Sequence, residues 1–187
     1  MMPLIMTETG VALLLLILYF FFCAHLVNRF LRRKPYDPDR FVRGLKGTPM
    51  EPYGQIIQRE RAWFAQQERE GVFIESYDGL RLHAQYLTQT NARGTMLLVH
   101  GFHGSGDCDF SCVLQTYYDM GFDLLVIDQR SHLGSEGNYL TMGVLERYDV
   151  RAWCLYLLQR FGEGHPVVLD GISMGASTVL MAAGEQL

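Results

Sequence analysis

Residues 167–183 decide the fold, and they read Val-Val-Leu-Asp-Gly-Ile-Ser-Met-Gly-Ala-Ser-Thr-Val-Leu-Met-Ala-Ala. The first four residues are typical of a buried strand, and the last eight are typical of a helix. Between them, residues 171–175 have the pattern Gly-x-Ser-x-Gly, which places a serine on a sharp strand-to-helix turn with its hydroxyl above the sheet. Small flanking residues let the backbones pass closely. We therefore predict that Ser173 is a nucleophile; a plain turn that contains a serine is the alternative.

The rest of the chain before this turn alternates strands and helices. Continuous apolar runs predict strands buried on both faces at Thr95–Val99, Leu124–Ile127 and Pro166–Leu169. A hairpin is predicted from Val72–Ser76 and Leu80–Leu87, which flank the turn signal Asp78-Gly79. Helical spacing predicts one helix through Phe110, Val113, Leu114 and Tyr117 that ends at Gly121, and another through Leu145, Tyr148, Ala152 and Leu155 that ends at Gly162. The order predicts an α/β fold with an antiparallel start and a parallel sheet.

A second chemical signal follows the strand Thr95–Val99, where residues 100–105 read His-Gly-Phe-His-Gly-Ser. Acyl transfer through a tetrahedral oxyanion needs two preorganised N–H donors, and removal of one typically raises the barrier by about 3–4 kcal/mol. The residue after the nucleophile, Met174, supplies one N–H, and the loop after the third strand supplies the other. Phe102 is our candidate for the second donor. We expect His100 to brace this loop through hydrogen bonds.

Together, HGFHGS at 100–105, DQRSHLGSEG at 128–137 and GISMG at 171–175 resemble the α/β-hydrolase superfamily. The resemblance is to its serine aminopeptidase-like, cinnamoyl or feruloyl esterase-like and Bem46-like branch, and it extends from about Gly71 to the end. It implies an α/β-hydrolase fold and hydrolysis of an ester, thioester or amide of a small acyl substrate or peptide. In this family the Asp128-Gln129-Arg130 turn is structural, so we do not assign Asp128 as the triad acid.

The sequence departs from the family pattern after the nucleophile. In this fold the order of the triad is Ser, then Asp or Glu, then His, yet the fourteen residues after Ser173 contain one acid, Glu185, and no histidine. We therefore expect a copy truncated after the elbow helix and an inactive fragment. His103 and His132 fall on the active-site side of the sheet and are available as substitute bases, although we expect exposed rim roles for both.

An apolar run near the N-terminus, Val11–Val27, predicts one membrane-spanning helix. Basic residues follow the run, namely Arg29, Arg32, Arg33 and Lys34, whereas only Glu8 is charged before it. The positive-inside rule therefore predicts a single-pass cell-membrane protein with its hydrolase domain in the cytoplasm. A cleaved signal peptide is the weaker alternative, because its positive charges would precede the run.

These patterns predict three parts: an anchor with a basic flank at 1–34, a linker and amphipathic helix at 35–70, and the N-terminal part of a hydrolase domain at 71–187. The helix, Tyr53–Glu70, is compatible with packing on the domain or on the membrane surface.

Composition excludes some functions and leaves others open. A net charge of −4 gives no reason to expect a nucleic-acid partner. The four cysteines lack metal-ligand spacing and are expected to be reduced thiols, and we predict no metal or organic cofactor. Membrane lipid is the expected partner of the N-terminal helix, while the oligomeric state is left open. The alternative to a hydrolase is a non-catalytic, membrane-tethered interaction protein with a degenerate hydrolase fold.

Overall fold

The computed structural model describes residues 2–185 and divides the chain into two compact units between Arg32 and Arg33. The first unit is a single helix, α1, at Met2–Phe30. Its segment Glu8–Phe30 has a mean hydropathy of 2.5 and none of that span is buried. At 1.5 Å per residue, these 23 residues extend over roughly 35 Å, which is long enough to cross a bilayer core.

The second unit contains the remaining helices and all the strands of the described chain. Its helices are α2 (Arg40–Leu45), α3 (Tyr53–Gln66), α4 (Gly106–Asp109), α5 (Leu114–Asp119), α6 (Glu146–Phe161) and α7 (Met174–Ala183). Its strands are β1 (Glu70–Glu75), β2 (Arg81–Leu87), β3 (Thr95–Val99), β4 (Asp123–Ile127) and β5 (Val167–Gly171).

The strands form one mixed sheet in the order β1-β2-β4-β3-β5. The hairpin β1–β2 is antiparallel, and β2 continues antiparallel to β4. Strand β3 then pairs in parallel with β4 on one side and with β5 on the other. The predicted antiparallel start and parallel centre are confirmed. Because β3, β4 and β5 run in parallel, the loops that follow them meet at one edge of the sheet.

Helices cover both faces of this sheet. On one face, Val150, Trp153 and Leu157 of α6 pack with Ala182 of α7 against the strands. On the other face, Phe64 of α3 packs with Phe110 and Leu114 against Leu98 and Leu124. This packing places α3 on the second unit through its apolar stripe. The two layers bury the interior strands β3 and β4 completely.

Two predicted helices differ from the structure in their boundaries. The helix predicted at Tyr53–Glu70 ends at Gln66, because Glu70 already pairs with Tyr86 in the hairpin. The helix predicted through Phe110 begins only at Leu114, as α5, because Phe110 already ends the short helix α4; Gly121 does follow α5, with φ +89°.

The burial of α6 and of β5 differs from what their sequence patterns suggest. The helix predicted through Leu145 and Leu155 is present as α6, but its buried face carries Trp153 and Leu157, whereas Leu155 is 46% exposed. Two acids, Glu146 and Asp149, are also buried on this face, so its apolar residues do not form a continuous pattern in the sequence. Strand β5 is only partly buried, because it lies at the edge of the sheet.

Candidate active site

Ser173 occupies the turn between strand β5 and helix α7. Its φ of 55° and ψ of −117° lie outside the regions that non-glycine residues normally adopt. The side chain is exposed and precedes the first helical residue, Met174. A strained, exposed serine at a strand-to-helix turn is the geometry that the Gly-x-Ser-x-Gly pattern predicts.

The two glycines of the pattern are required by contacts between backbones. A β-carbon added to Gly171 would lie 2.4 Å from the carbonyl oxygen of Gly175. A β-carbon on Gly175 would lie 1.9 Å from the carbonyl oxygen of Val99. Both distances are far below van der Waals contact. The turn therefore closes only with glycine at each position, as predicted.

The loop that follows β3 lies directly beside Ser173. A β-carbon added to Gly101 would lie 3.3 Å from the β-carbon of Ser173 and 3.2 Å from the carbonyl oxygen of Ile172. The Ile172 N–H also donates to the carbonyl of Val99 at 3.1 Å. The sheet thus brings the two predicted chemical signals together.

Two N–H groups near Ser173 are available to a ligand. Within residues 2–185, the backbone N–H of Met174 and that of Phe102 donate to no protein acceptor. Met174 is buried at the start of α7, while Phe102 is 40% exposed in the loop after β3. They are the two N–H groups that the sequence predicted as oxyanion donors.

His100 braces the loop, as predicted. Its ring is fully buried; Nδ1–H donates to the Gly101 carbonyl at 2.8 Å, and Nε2 accepts the Gln129 N–H at 3.1 Å. Burial lowers the pKa of His100, and the accepting Nε2 requires the neutral ring. His100 therefore links the loops after β3 and β4 and does not serve as a base.

A carboxylate holds the same loop from its far end. Asp109 accepts the Gly101 N–H at 2.6 Å. Gly104 passes so close that a β-carbon there would lie 2.6 Å from the same carboxylate oxygen. The loop is thus folded around Asp109, a residue that the sequence analysis did not single out.

Residues from the segment before the sheet contact this loop as well. The Tyr36 hydroxyl is hydrogen-bonded to the buried Ser105 hydroxyl at 2.6 Å, and burial raises the pKa of Tyr36 to about 12. Arg61 of α3 donates twice to Asp107, at 2.9 and 3.0 Å. No local pattern links these positions, which are 46 to 69 residues apart in the chain.

The turn after β4 is structural, as the resemblance implied. Asp128 is buried, accepts from His83 Nδ1 at 2.6 Å and accepts the Gly134 N–H at 3.0 Å. Arg130 forms a buried ion pair with Asp149 through two hydrogen bonds of 2.7 Å. Asp128 therefore holds its own turn.

The first residue of the second unit, Arg33, is attached to this turn. Its guanidinium donates to the carbonyls of Leu133 and Ser135, both at 2.6 Å. Its backbone N–H donates to the carbonyl of Asn138 at 2.7 Å. Arg33 therefore contributes to holding the turn after β4 within the second unit.

The predicted rim role of His132 was wrong. Its ring is 6% exposed, Nδ1–H donates to the Arg130 carbonyl at 2.9 Å, and burial lowers its pKa to about 3. His103 is half-buried beside it, with ring centroids 5.9 Å apart. In the described part of the chain, no hydrogen bond joins a histidine to the Ser173 hydroxyl.

The structure offers no evident metal centre in its described residues, because no group of three or more His, Cys, Asp or Glu side chains is placed to hold an ion. The four cysteines are free; Cys108 and Cys154 are buried, and Cys112 is exposed.

Comparisons with known proteins agree with this geometry. No family model matches the chain. An uncharacterised protein of Bacillus subtilis, YqkD, is 25% identical over 121 residues, which are 65% of this chain and 39% of that protein. An esterase from Pyrococcus furiosus superimposes with a TM-score of 0.59 at 25% identity, over 66% of this chain and 48% of the esterase.

A putative α/β hydrolase from Agrobacterium tumefaciens superimposes with a TM-score of 0.55 at 18% identity, over 63% of this chain and 55% of that protein. The chain thus spans about half of each of these structures, and less of its sequence relative. Sheet order, elbow and structural similarity agree: the chain belongs to the α/β-hydrolase superfamily.

Proposed function

We propose that this chain carries the nucleophile and oxyanion-binding parts of a membrane-anchored serine hydrolase that cleaves a carboxylic ester, thioester or amide. Ser173 attacks the acyl carbon, and the N–H groups of Phe102 and Met174 hold the oxyanion. The observation that carries this proposal is the exposed, left-handed Ser173 beside Gly101. The leaving alcohol, thiol or amine takes the proton of the serine hydroxyl.

The rate is expected to be low for this chain alone. A serine hydroxyl without a base is a weak nucleophile at neutral pH, and the described residues give Ser173 no histidine partner. When a triad is lost, the oxyanion hole and binding still contribute on the order of 10³–10⁴ over water. We therefore expect slow acylation of Ser173 and little turnover.

Labelling with a fluorophosphonate tests the proposal on the full chain in detergent. We expect the probe to modify Ser173 about 100-fold faster than Ser177, because Ser177 is exposed one turn later but lacks the oxyanion donors. Ser173→Ala should abolish labelling, and Ser177→Ala should leave it unchanged. Equal rates at the two serines would contradict the proposal.

The second candidate is a non-catalytic, membrane-tethered interaction protein that keeps the hydrolase fold without its chemistry. A strain that carries Ser173→Ala in place of the native gene separates the two candidates. Loss of the native phenotype supports hydrolysis. An unchanged phenotype, with normal amounts of the variant protein, supports the interaction role.

We also propose that α1 anchors the chain in the cell membrane, contacts lipid and leaves the hydrolase unit in the cytoplasm. Cys112 is a native reporter, since it is the exposed cysteine of the second unit. In intact cells, a membrane-impermeant maleimide should label Cys112 only after the membrane is permeabilised, and Cys112→Ser should remove that signal. Labelling before permeabilisation would contradict the orientation.

A further inference from the structure

A cavity of about 490 Å³ lies in the second unit, between helix α3 and the sheet. Its walls include Arg61, Arg69, His83, Phe64 and Val126, and none of residues 171–175 lines it. The volume is within the range of roughly 300–1,000 Å³ that is common for small-molecule sites. It is therefore a separate cavity from the turn that carries Ser173.

Two of the basic side chains in the cavity wall already contact carboxylates. Arg61 is paired with Asp107 by two hydrogen bonds. His83 donates to the buried carboxylate of Asp128 at 2.6 Å. Short hydrogen bonds to these carboxylates therefore engage both Arg61 and His83.

Arg69 differs from these groups because its charge has no acidic partner. Within residues 2–185, no carboxylate lies at ion-pair distance from Arg69. Its guanidinium is held by the side-chain oxygen of Gln85 and lies over the Phe64 ring, 4.6 Å from the centroid. The group is thus oriented by neutral contacts, and several of its N–H donors remain available.

We propose that this cavity binds a small monocarboxylate with an apolar body. The planar guanidinium of Arg69 matches a carboxylate in charge and in geometry. The apolar side chains of Phe64, Val126 and Leu133 line the same space and would cover the body of the ligand. One unmatched cation and an apolar wall together select an amphiphilic monoanion.

The position of the cavity gives the ligand access to both loops near Ser173. Asp107 follows the loop at 100–105, and Leu133 belongs to the turn after β4. This binding proposal does not depend on hydrolysis, so it is tested on the Ser173→Ala chain in lipid nanodiscs.

The probe is 4-phenylbutyrate, and its neutral amide serves as the matched ligand. Calorimetric titration should show saturable binding of the carboxylate and at least about tenfold weaker binding of the amide. Arg69→Gln should remove the preference for the carboxylate. Arg59→Gln is the matched control, because Arg59 lies on helix α3 ten residues earlier, is exposed and pairs with Glu60 outside the cavity.

Ala65→Phe gives a second test that keeps the charge of Arg69. Ala65 lines the cavity but is exposed on α3, so a larger side chain there should obstruct the cavity without disturbing the core. We expect weaker binding of both probes. Equal affinity for carboxylate and amide, unchanged binding in either cavity variant, or no saturable binding up to about 5 mM would overturn the proposal.

Discussion

The turn at residues 171–175 and the loop at residues 100–109 meet beside Ser173, yet they are held in place in different ways. In the turn, backbone contacts backbone, and a β-carbon on Gly175 would lie 1.9 Å from the Val99 oxygen. In the loop, side chains hold the backbone: Asp109 accepts from Gly101, and Tyr36 bonds to Ser105. The turn therefore has no tolerance for substitution, whereas the loop can lose its supports one at a time.

The largest effect is expected at the turn. Gly175→Ala would force a methyl group into the carbonyls of Val99 and His100, which are backbone atoms that cannot move aside. We expect the free energy of unfolding to fall by more than about 4 kcal/mol, or the chain not to fold. Chemical unfolding followed by tryptophan fluorescence measures this loss, since Trp153 is buried in the core.

Gly164→Ala is the control for this substitution. Gly164 has no heavy atom within 4 Å of an added β-carbon. The free energy of unfolding of the Gly164→Ala chain should stay within about 0.5 kcal/mol of that of the native chain. If Gly175→Ala behaved like Gly164→Ala, the turn would not be closed as described.

A smaller loss of folding stability is expected from a substitution in the loop. Asp109→Ala removes the acceptor of the Gly101 N–H and should cost about 1.5–3 kcal/mol, the range for hydrogen bonds to charged groups. The loop that carries Phe102 should also become less ordered. Labelling of Ser173 should therefore slow in Asp109→Ala and stay unchanged in Asp119→Ala, where the acid is exposed on α5. Unchanged labelling and stability in Asp109→Ala would show that other contacts hold the loop.

The free energy of unfolding is expected to depend on pH because of His132, whose ring is buried beside that of His100. Burial lowers the pKa of His132 from 6.5 to about 3 in the folded chain. Between these values the unfolded chain binds a proton that the folded chain does not, so stability falls as pH falls. The slope from this residue is about 1.4 kcal/mol per pH unit.

Unfolding at pH 6.5, 5.5 and 4.5 should show this slope, and His132→Gln should reduce it. The same slope in the variant would assign the pH dependence to other groups.

The difference between the turn and the loop also explains what the sequence could reveal. The strand, the glycines and the serine of residues 167–175 are contiguous, so the pattern itself contains the steric requirement. The support of the loop comes from Tyr36 and Arg61, which no periodicity connects to Ser105 or Asp107.

Sheet order is non-local as well, and it determines burial. The run Val167–Leu169 is as apolar as Thr95–Val99, yet β5 lies at the edge of the sheet and β3 lies inside it. The burial of the acids on α6 could not be predicted for a related reason. Asp149 is matched by Arg130, nineteen residues earlier, which the helical period does not reveal.

The smallest loss of stability is expected from a substitution of Tyr36, the residue farthest along the chain from the loop that it contacts. Tyr36→Phe keeps the ring and removes the hydroxyl that is bonded to buried Ser105, so we expect a loss of about 1 kcal/mol. Tyr53→Phe is the control, since Tyr53 is half exposed at the start of α3. Combining Tyr36→Phe with Ser105→Ala should cost about 0.5–1.5 kcal/mol less than the sum of the two single changes, because both remove one shared bond. Additive losses would mean that Tyr36 and Ser105 act independently, and the segment before the sheet would then not support the loop beside Ser173.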